Sequence, residues 1–359
     1  MRVLILANND LGLYRFRKEL IQELIKKNKV FLSLPYGEFV EPLKKIGCKF
    51  IDAPVDRRGM NPLKDLTLFY YYRKLIKRVK PDLVITYTIK PNIYGSLACE
   101  LSKIPYAVNI TGLGTAFQNH GLLRKMVTIL YKVSLKKAKV VFFENSENRD
   151  IFVNEKIVRK NKTCLLNGAG VNLEEFPYEN YPMEASPVRF LFVGRVMKEK
   201  GVSELFKAMR MLRKEGTNCT LDVVGPYEED YKSVISKYEK AGWLKAHGYQ
   251  EDVRPFIKNC HCFVLPSWHE GMANTNLECA ASGRPVITSN IHGCLEAVVD
   301  GKSGFLCEKQ DAHSLYEVMK KFAELPVVAR AEMGKCGRKH MVAVFDKRKV
   351  VFFTISNLF

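Results

Sequence analysis

Twice along this chain, short runs of β-branched and aliphatic residues alternate with longer segments whose apolar residues recur at helical spacing. That alternation restricts the fold more than any other feature. In the first half "RVLILAN", "KVFLSLP", "DLVITYT", "YAVNIT" and "KVVFFEN" read as strands. Between them, "LYRFRKELIQELIKKN" carries Leu20, Ile21, Leu24 and Ile25 at helical spacing. "LKDLTLFYYYRKLIKRVKP", "IYGSLACELSKI" and "LLRKMVTILYKVSLKKA" read as further helices. Strands separated by helices predict right-handed crossovers and a parallel sheet. Asn167 to Pro187 is dense in Gly, Pro, Asn and Glu and has neither period, which marks an interdomain linker. The pattern then restarts with "VRFLFVGRV", "CTLDVVGP", "CHCFVLPS" and "PVITSN" as strands. "VSELFKAMRMLRKE", "EDYKSVISKYEKAG" and "AHSLYEVMKKFAEL" are its helices.

The expectation is therefore an α/β protein of two Rossmann-like, doubly wound parallel-sheet domains facing a cleft. The 359 residues suffice for two domains of ordinary size. The expected division is 1–170, a linker at 171–187, a second domain at 188–340, and a terminal segment at 341–359. Ligands in such sheets bind beyond the carboxyl ends of the strands, so the loops there hold the candidate chemistry.

Charge narrows the class of partner. The formal net charge is +19, of which +14 falls in residues 1–180 and +5 in the rest. A first half this basic suggests an anionic partner: a membrane surface, a phosphorylated substrate or nucleic acid. The helix candidate Leu122 to Lys139 would meet a membrane surface through Arg124, Lys125, Lys132, Lys136, Lys137 and Lys139. No apolar run approaches the roughly 20 residues of a spanning helix, and "MRVLILANND" reads as a buried strand, not a secretory signal. The ten cysteines are scattered without a CxxC pair, which fits a reducing cytoplasm. Cys260-His261-Cys262 is the one tight cluster, and small core residues explain it better than a metal pair.

Two motifs follow strands of the second half. "GRVMKEKG" pairs glycines that admit close backbone approach with Arg195 and Lys200, cations suited to a diphosphate. "HEGMANTNLECAASGRP" places Asn274 as a helix cap, a helix over Thr275 to Ser282, and Gly283 with Pro285 as its stop. The free amides from about Met272 to Asn276 would form an anion site. Glu270 precedes the helix; Glu278 lies a turn inside it, among Leu277, Cys279, Ala280 and Ala281. A carboxylate there suits a pair of neighbouring hydroxyls, as on a ribose. The plainer role of each acid is to complement the helix dipole.

Glu270-x7-Glu278, with Arg195, Lys200 and the segment "GVNLEEF", resembles the retaining glycosyltransferase family 4, which has the GT-B architecture. "EGMANTNLECAASGRPVITSNIHGCLEAVVDGKSGFL" follows the family pattern most closely. The resemblance implies that Gly194, Arg195 and Lys200 meet the donor diphosphate and that Glu270 binds donor-sugar hydroxyls. It implies that Glu278 binds the ribose, that Met272, Ala273 and Asn274 meet phosphate and sugar through their amides, and that Tyr249 in "HGYQEDV" contacts the nucleobase. Catalysis would rest on Glu270, Arg195 and Lys200 with no metal, no other cofactor and a UDP-sugar as co-substrate. "TYTIKPNIYGSLACELSKIPYAVNITGLGTAF" resembles transferases that build capsule or O-antigen on a polyprenyl-diphosphate carrier, at the inner face of the cell membrane. Arg17, Lys90, Thr111 and Gly112 are the candidate acceptor contacts. The segment 341–359 would return toward the first domain, as in relatives.

Two departures stand out. Thr111 occupies the position where many relatives carry a histidine, and His120 is not promoted in its place; the glycine loop of Gly112 and Gly114 would approach phosphates instead. Leu295 stands where close relatives often carry arginine. A nucleotide-sugar 2-epimerase of the same fold and a basic nucleic-acid-binding protein are the alternatives. The first needs a first-domain set of acids and a histidine that is not found, and the second a nucleic-acid-reading motif that is absent.

Overall fold

In a computed structural model, residues 1–55, 61–114, 117 and 121–359 are described. The chain forms two units, Met1–Ala169 with Lys347–Phe359, and Gly170–Asp346. The first unit runs β1 (Arg2–Leu6), α1 (Asp10–Lys27), β2 (Lys29–Leu34), α2 (Val40–Lys45), β3 (Lys49–Asp52) and α3 (Pro62–Val79). It continues through β4 (Leu83–Tyr87), α4 (Ser96–Leu101), β5 (Tyr106–Ile110), α5 (Leu122–Ser134), β6 (Val140–Phe143), α6 (Ser146–Asn154) and β7 (Thr163–Leu165). The strands form one sheet in the order β3-β2-β1-β4-β5-β6-β7, with every pairing parallel. β4 and β5 are buried at every position, as strands covered on both faces must be.

Local chemistry sets the element ends. The Asn9 side chain accepts from Gly12 N at 2.7 Å and starts α1. Asn61 caps α3, with Pro62 in its first turn and Lys80 left-handed at its end. The helix expected across "IYGSLACELSKI" forms, entered through a π-type turn at Pro91–Gly95 that runs on into α4, and ends early at Leu101. The helix expected to reach Ala138 ends at Ser134, where the chain turns into β6. The sequence pattern misses α2, α6, β3 and β7, all of nine residues or fewer and too short for a clear period.

The second unit runs β8 (Val188–Val193), α7 (Val202–Lys214), β9 (Cys219–Val224), α8 (Lys232–Lys240), β10 (Leu244–Ala246), α9 (Arg254–Asn259) and β11 (Cys262–Leu265). Then follow α10 (Asn274–Ala281), β12 (Val286–Ser289), β13 (Gly304–Cys307), α11 (Ala312–Glu324) and α12 (Val327–His340). Its parallel sheet has the order β10-β9-β8-β11-β12-β13. The strand order reverses between β8 and β11, so the loops after these two strands flank a topological switch point.

The stretch 171–187 is not a free linker but belongs to the second unit. Arg284, wholly buried, donates to the carbonyls of Glu179 and Asn180 at 3.0 Å each. It also donates to Ile257 and Lys258. Arg338 holds the Phe176 carbonyl at 2.9 Å, and Tyr181 Oη donates to His261 O at 3.0 Å. Residues without periodicity are here fixed by buried donors that a local pattern does not reveal. The Cys260-His261-Cys262 cluster is core. His261 accepts from Arg189 N at 2.9 Å through Nδ1 and donates from Nε2 to Glu184 O.

The terminal segment divides at residue 346. Met341–Phe345 stays with the second unit, whereas α13 (Lys347–Leu358) joins the first. Val351 and Leu358 of α13 share a core cluster with Leu13, Leu20 and Leu24 of α1. Among the described residues no helix is long and apolar enough to cross a membrane.

Candidate active site

At the carboxyl ends of β8, β9 and β10 the backbone lies unusually close to itself. A Cβ on Gly225, at φ +142°, would sit 1.9 Å from Gly194 O. Gly225 N donates to Gly248 O at 2.8 Å. The loops after β8 and β9 thus meet at Gly225, which has no room for a side chain. Arg195 follows directly, exposed and without an ion-pair partner among the described residues. The chain then makes a 3-10 turn, Lys198–Lys200, and Gly201 at φ +71° launches α7. A Cβ on Gly201 would lie 2.0 Å from Pro266 O, so this glycine lets the β8 and β11 loops touch.

That contact brings the two motifs together. Lys200 Nζ is ion-paired to Glu270 Oε1, and Ser267 Oγ donates to the same oxygen at 2.7 Å. Trp268 N donates to Glu199 O at 2.9 Å, tying the loops a second time. From the other side, Gly293 lies so close that a Cβ would stand 2.7 Å from Glu270 O. Glu296 fixes that loop, accepting from Gly293 N at 2.7 Å and binding His292 Nδ1 at 2.7 Å. Ser267, His292, Gly293 and Glu296 were not anticipated. Ser267-x-x-Glu270 and Gly293-x-x-Glu296 each place a short donor three residues before a carboxylate, which is the signal for such turns.

α10 begins differently from the expectation. Ala273 is the cap residue and Asn274 the first helical one, with no side-chain cap. The Ala273 amide already donates to Gly293 O at 2.7 Å, and that of Asn276 to Ala273 O at 3.0 Å. The amides of Met272, Asn274 and Thr275 make no hydrogen bond among the described residues. Glu278 is the fifth residue of α10 and half-buried, not hidden, although Leu277, Cys279, Ala280 and Ala281 around it are buried. Gly283 ends the helix at φ +77°. Asn276 Nδ2 donates to Thr288 Oγ1 at 3.1 Å, and Thr288 Oγ1 donates to Leu265 O at 2.7 Å, so α10 is pinned across β11 and β12. On the loop after β10, Tyr249 is exposed. His247 beside it binds Asp222 Oδ1 at 2.6 Å.

The acceptor candidates of the first unit differ in their surroundings. Arg17 is not surface charge. It is buried, ion-paired with buried Glu144 just past β6, and its guanidinium lies 5.2 Å from the Tyr87 ring centroid. Burial pushes the Glu144 carboxyl up, against the pull of Arg17. Arg17 lies on the buried stripe of Leu13, Leu20 and Leu24, a position that in itself calls for a buried acid. Lys90 Nζ is held by Asp65 at 2.8 Å, and Tyr94 Oη donates to the same carboxylate at 3.1 Å. Thr111 and Gly112 are half-buried beyond β5. A Cβ on Gly114, at φ +66°, would meet Ile89 Cδ1 at 2.9 Å. Thr88 has φ +71°, a strained backbone for a β-branched residue; it sits after β4, at this sheet's own reversal point between β1 and β4. His120 lies outside the described residues.

Two family models divide the chain as its units do. "Glycosyl transferase 4-like" matches residues 2–145 and "Glycosyl transferases group 1" residues 180–340. A relative from Campylobacter jejuni, N,N′-diacetylbacillosaminyl-diphospho-undecaprenol α-1,3-N-acetylgalactosaminyltransferase, is 30% identical over 335 residues, covering 88% of each chain. The chain belongs to the GT4-like, group 1 glycosyltransferases. Within this family the capsular polysaccharide biosynthesis glycosyltransferase CapM of Staphylococcus aureus is 26% identical over 310 residues, covering 80% of each. Anabaena HepE, solved in complex with UDP and glucose, superposes with a TM-score of 0.82 at 16% identity, over 100% of this chain and 99% of that one. The fold of this glycosyltransferase is GT-B: two Rossmann-like units with parallel sheets of seven and six strands.

Proposed function

We propose that this glycosyltransferase moves a hexosyl or N-acetylhexosaminyl group from a UDP-sugar to a polyprenyl-diphosphate-linked glycan, retaining the anomeric configuration and using no metal. The observation that carries the proposal is the junction of the β8 and β11 loops, where Lys200 and Ser267 both hold Glu270 Oε1 beside the start of α10. The acceptor named for the Campylobacter relative supports a lipid-linked glycan, and the name of the Staphylococcus relative supports capsular polysaccharide biosynthesis. The UDP and glucose complex of HepE supports the donor class.

In this reading the bond from the sugar C1 to the β-phosphate oxygen breaks, and its electron pair leaves with UDP. The acceptor hydroxyl forms the new C1–O bond on the same face, and its proton passes to the departing phosphate. Negative charge grows on the diphosphate as the bond breaks. Arg195, Lys200 and the amides of Met272 and Asn274 meet that charge, which fixed donors stabilise without reorganisation. Glu270 binds sugar hydroxyls, held in place by Ser267 and Lys200. Glu278 accepts from the two ribose hydroxyls, and Tyr249 stacks on the base. Gly194 leaves room for the diphosphate. The basic first unit, +14 over residues 1–180, meets the anionic surface in which the acceptor lipid is anchored.

Transfer from labelled UDP-hexoses and UDP-N-acetylhexosamines to a polyprenyl-diphosphate glycan, in the presence of EDTA, tests the proposal. The expected product carries the anomeric configuration of the donor, and Lys200→Ala lowers kcat by about 100-fold or more. An inverted product, dependence on added metal, or epimerised nucleotide sugar formed without acceptor would overturn it.

A further inference from the structure

Lys90 follows β4, one of the two strands between which the order of the first sheet reverses. Ligands of such sheets bind beyond the strand carboxyl ends at that point. The backbone under Lys90 is held in place at a cost. Thr88, two residues before it, has φ +71°, a conformation that strains a β-branched residue and persists only where its surroundings enforce it. The Thr88 carbonyl accepts from Asn92 N at 2.9 Å, within the π-type turn Pro91–Gly95. Buried Asn92 donates from Nδ2 to Asn109 O at 2.9 Å. Buried Asn109 donates in turn to Thr86 O at 3.3 Å. Two buried side-chain amides thus tie the end of β4 to β5.

The side chain of Lys90 is fixed as closely. Asp65, in the first turn of α3, takes Lys90 Nζ on Oδ1 at 2.8 Å and the Tyr94 hydroxyl on Oδ2 at 3.1 Å. Burial, and then the charge of Asp65, push the Tyr94 hydroxyl up to about 12, so it stays protonated and donates. Both carboxylate oxygens are therefore engaged. Lys90 has no other ion-pair partner among the described residues, and its ammonium keeps donors for a ligand. The Lys90 and Asp65 side chains are only 15% and 16% exposed. An ion pair so far out of water contributes little to stability, because desolvation offsets the attraction. An apolar pair would pin α3 to this loop as well. An ammonium already held in one place suits a phosphate oxygen, because binding then costs it little freedom.

We propose that Lys90 contacts the diphosphate of the acceptor lipid, and that Asp65 and Tyr94 are positioning residues that hold its ammonium for that contact. The proposal rests on the polyprenyl-diphosphate acceptor of the reading above and assigns that diphosphate residues of the first unit. Its test is calorimetric titration of farnesyl diphosphate, a short polyprenyl diphosphate, into the full chain at saturating UDP, so that the donor motifs are already filled. Wild type is expected to bind farnesyl diphosphate and not farnesol. Lys90→Gln should lose about tenfold or more, as expected for a hydrogen bond between charged groups. Lys90→Arg, which keeps the charge, should recover most of that loss. Asp65→Asn should lose a similar factor, and Lys90→Gln/Asp65→Asn no more than Lys90→Gln alone, because Asp65 acts through the lysine. Tyr94→Phe should lose about threefold. UDP affinity should stay within about twofold of wild type in every variant, which separates a lost contact from a lost fold. Unchanged farnesyl diphosphate affinity in Lys90→Gln would overturn the contact. Tighter binding by Asp65→Asn would overturn the positioning role, since the carboxylate would then compete with the phosphate. UDP binding lost in step with farnesyl diphosphate would reduce the cluster to a support of the fold. Wild type that binds UDP but not farnesyl diphosphate would overturn this proposal and leave the donor reading standing. Wild type that fails to bind UDP would sink the donor reading and leave the farnesyl diphosphate result standing.

Discussion

Glu270 shows how much of a site depends on residues that bear no charge. Its Oε1 receives the Ser267 hydroxyl and the Lys200 ammonium together. Ser267→Ala removes one donor to a charged acceptor, worth about 1.5–3 kcal/mol. The expected result is kcat reduced by about tenfold or more, with UDP affinity kept within about twofold, read from steady-state kinetics and calorimetry. Family spacing named Arg195, Lys200, Glu270 and Glu278 as candidates, and the structure brings Lys200 and Glu270 into contact. Ser267 was not named, because a hydroxyl's partner depends on the turn that folds it back. Arg17 was named for an acceptor phosphate from its charge, whereas its place on the Leu13–Leu20–Leu24 stripe points inward, to Glu144. His261 gives a prediction in pH. Burial, and then the charge of Arg189, lower its pKa from 6.5 to about 4. Between those values the unfolded chain binds the proton and the folded chain does not. Stability is therefore full above about pH 6.5 and falls on acidification toward pH 4, by at most about 1.4 kcal/mol per pH unit from this group. Thermal melts across that range should show a shallower dependence in His261→Gln than in wild type.

Among the elements, periodicity located α1, α3, α5, α7 and α11 and most of the buried strands, and missed several short elements as well as α12 and α13. A six-residue helix such as α2 or a three-residue strand such as β7 offers less than two turns or two alternations to read. The stretch 171–187 failed in another way. Its Gly, Pro and Asn content reads as a linker, but the donors that order it lie on Arg284 and Arg338, more than a hundred residues away in sequence for Glu179, Asn180 and Phe176. Arg284→Met should leave several buried carbonyls without donors and destabilise the protein by about 3 kcal/mol or more. Proteolysis of that variant should begin within 171–187; cleavage no faster there than in wild type would show that Arg284 does not hold the stretch.

For the whole molecule, two repeats of the strand–helix alternation sufficed to predict two parallel sheets, and the order of their strands places both candidate motifs beside one reversal point, between β8 and β11. What the pattern left open was where the units divide. The boundary falls at Ala169, and the chain crosses back at Lys347 so that α13 can bury Val351 and Leu358 with the core of α1. Those positions lie at opposite ends of the chain, beyond any local window. The proposed function requires the second unit to hold a nucleotide sugar through Glu278 on α10. Calorimetric titration of UDP and GDP into wild type and Glu278→Ala tests it most directly. UDP is expected to bind wild type, and the variant to lose about tenfold or more, because two ribose hydroxyls lose a charged acceptor. GDP bound more tightly than UDP would contradict the donor assignment, and equal UDP affinity in wild type and Glu278→Ala would contradict the role given to this glutamate.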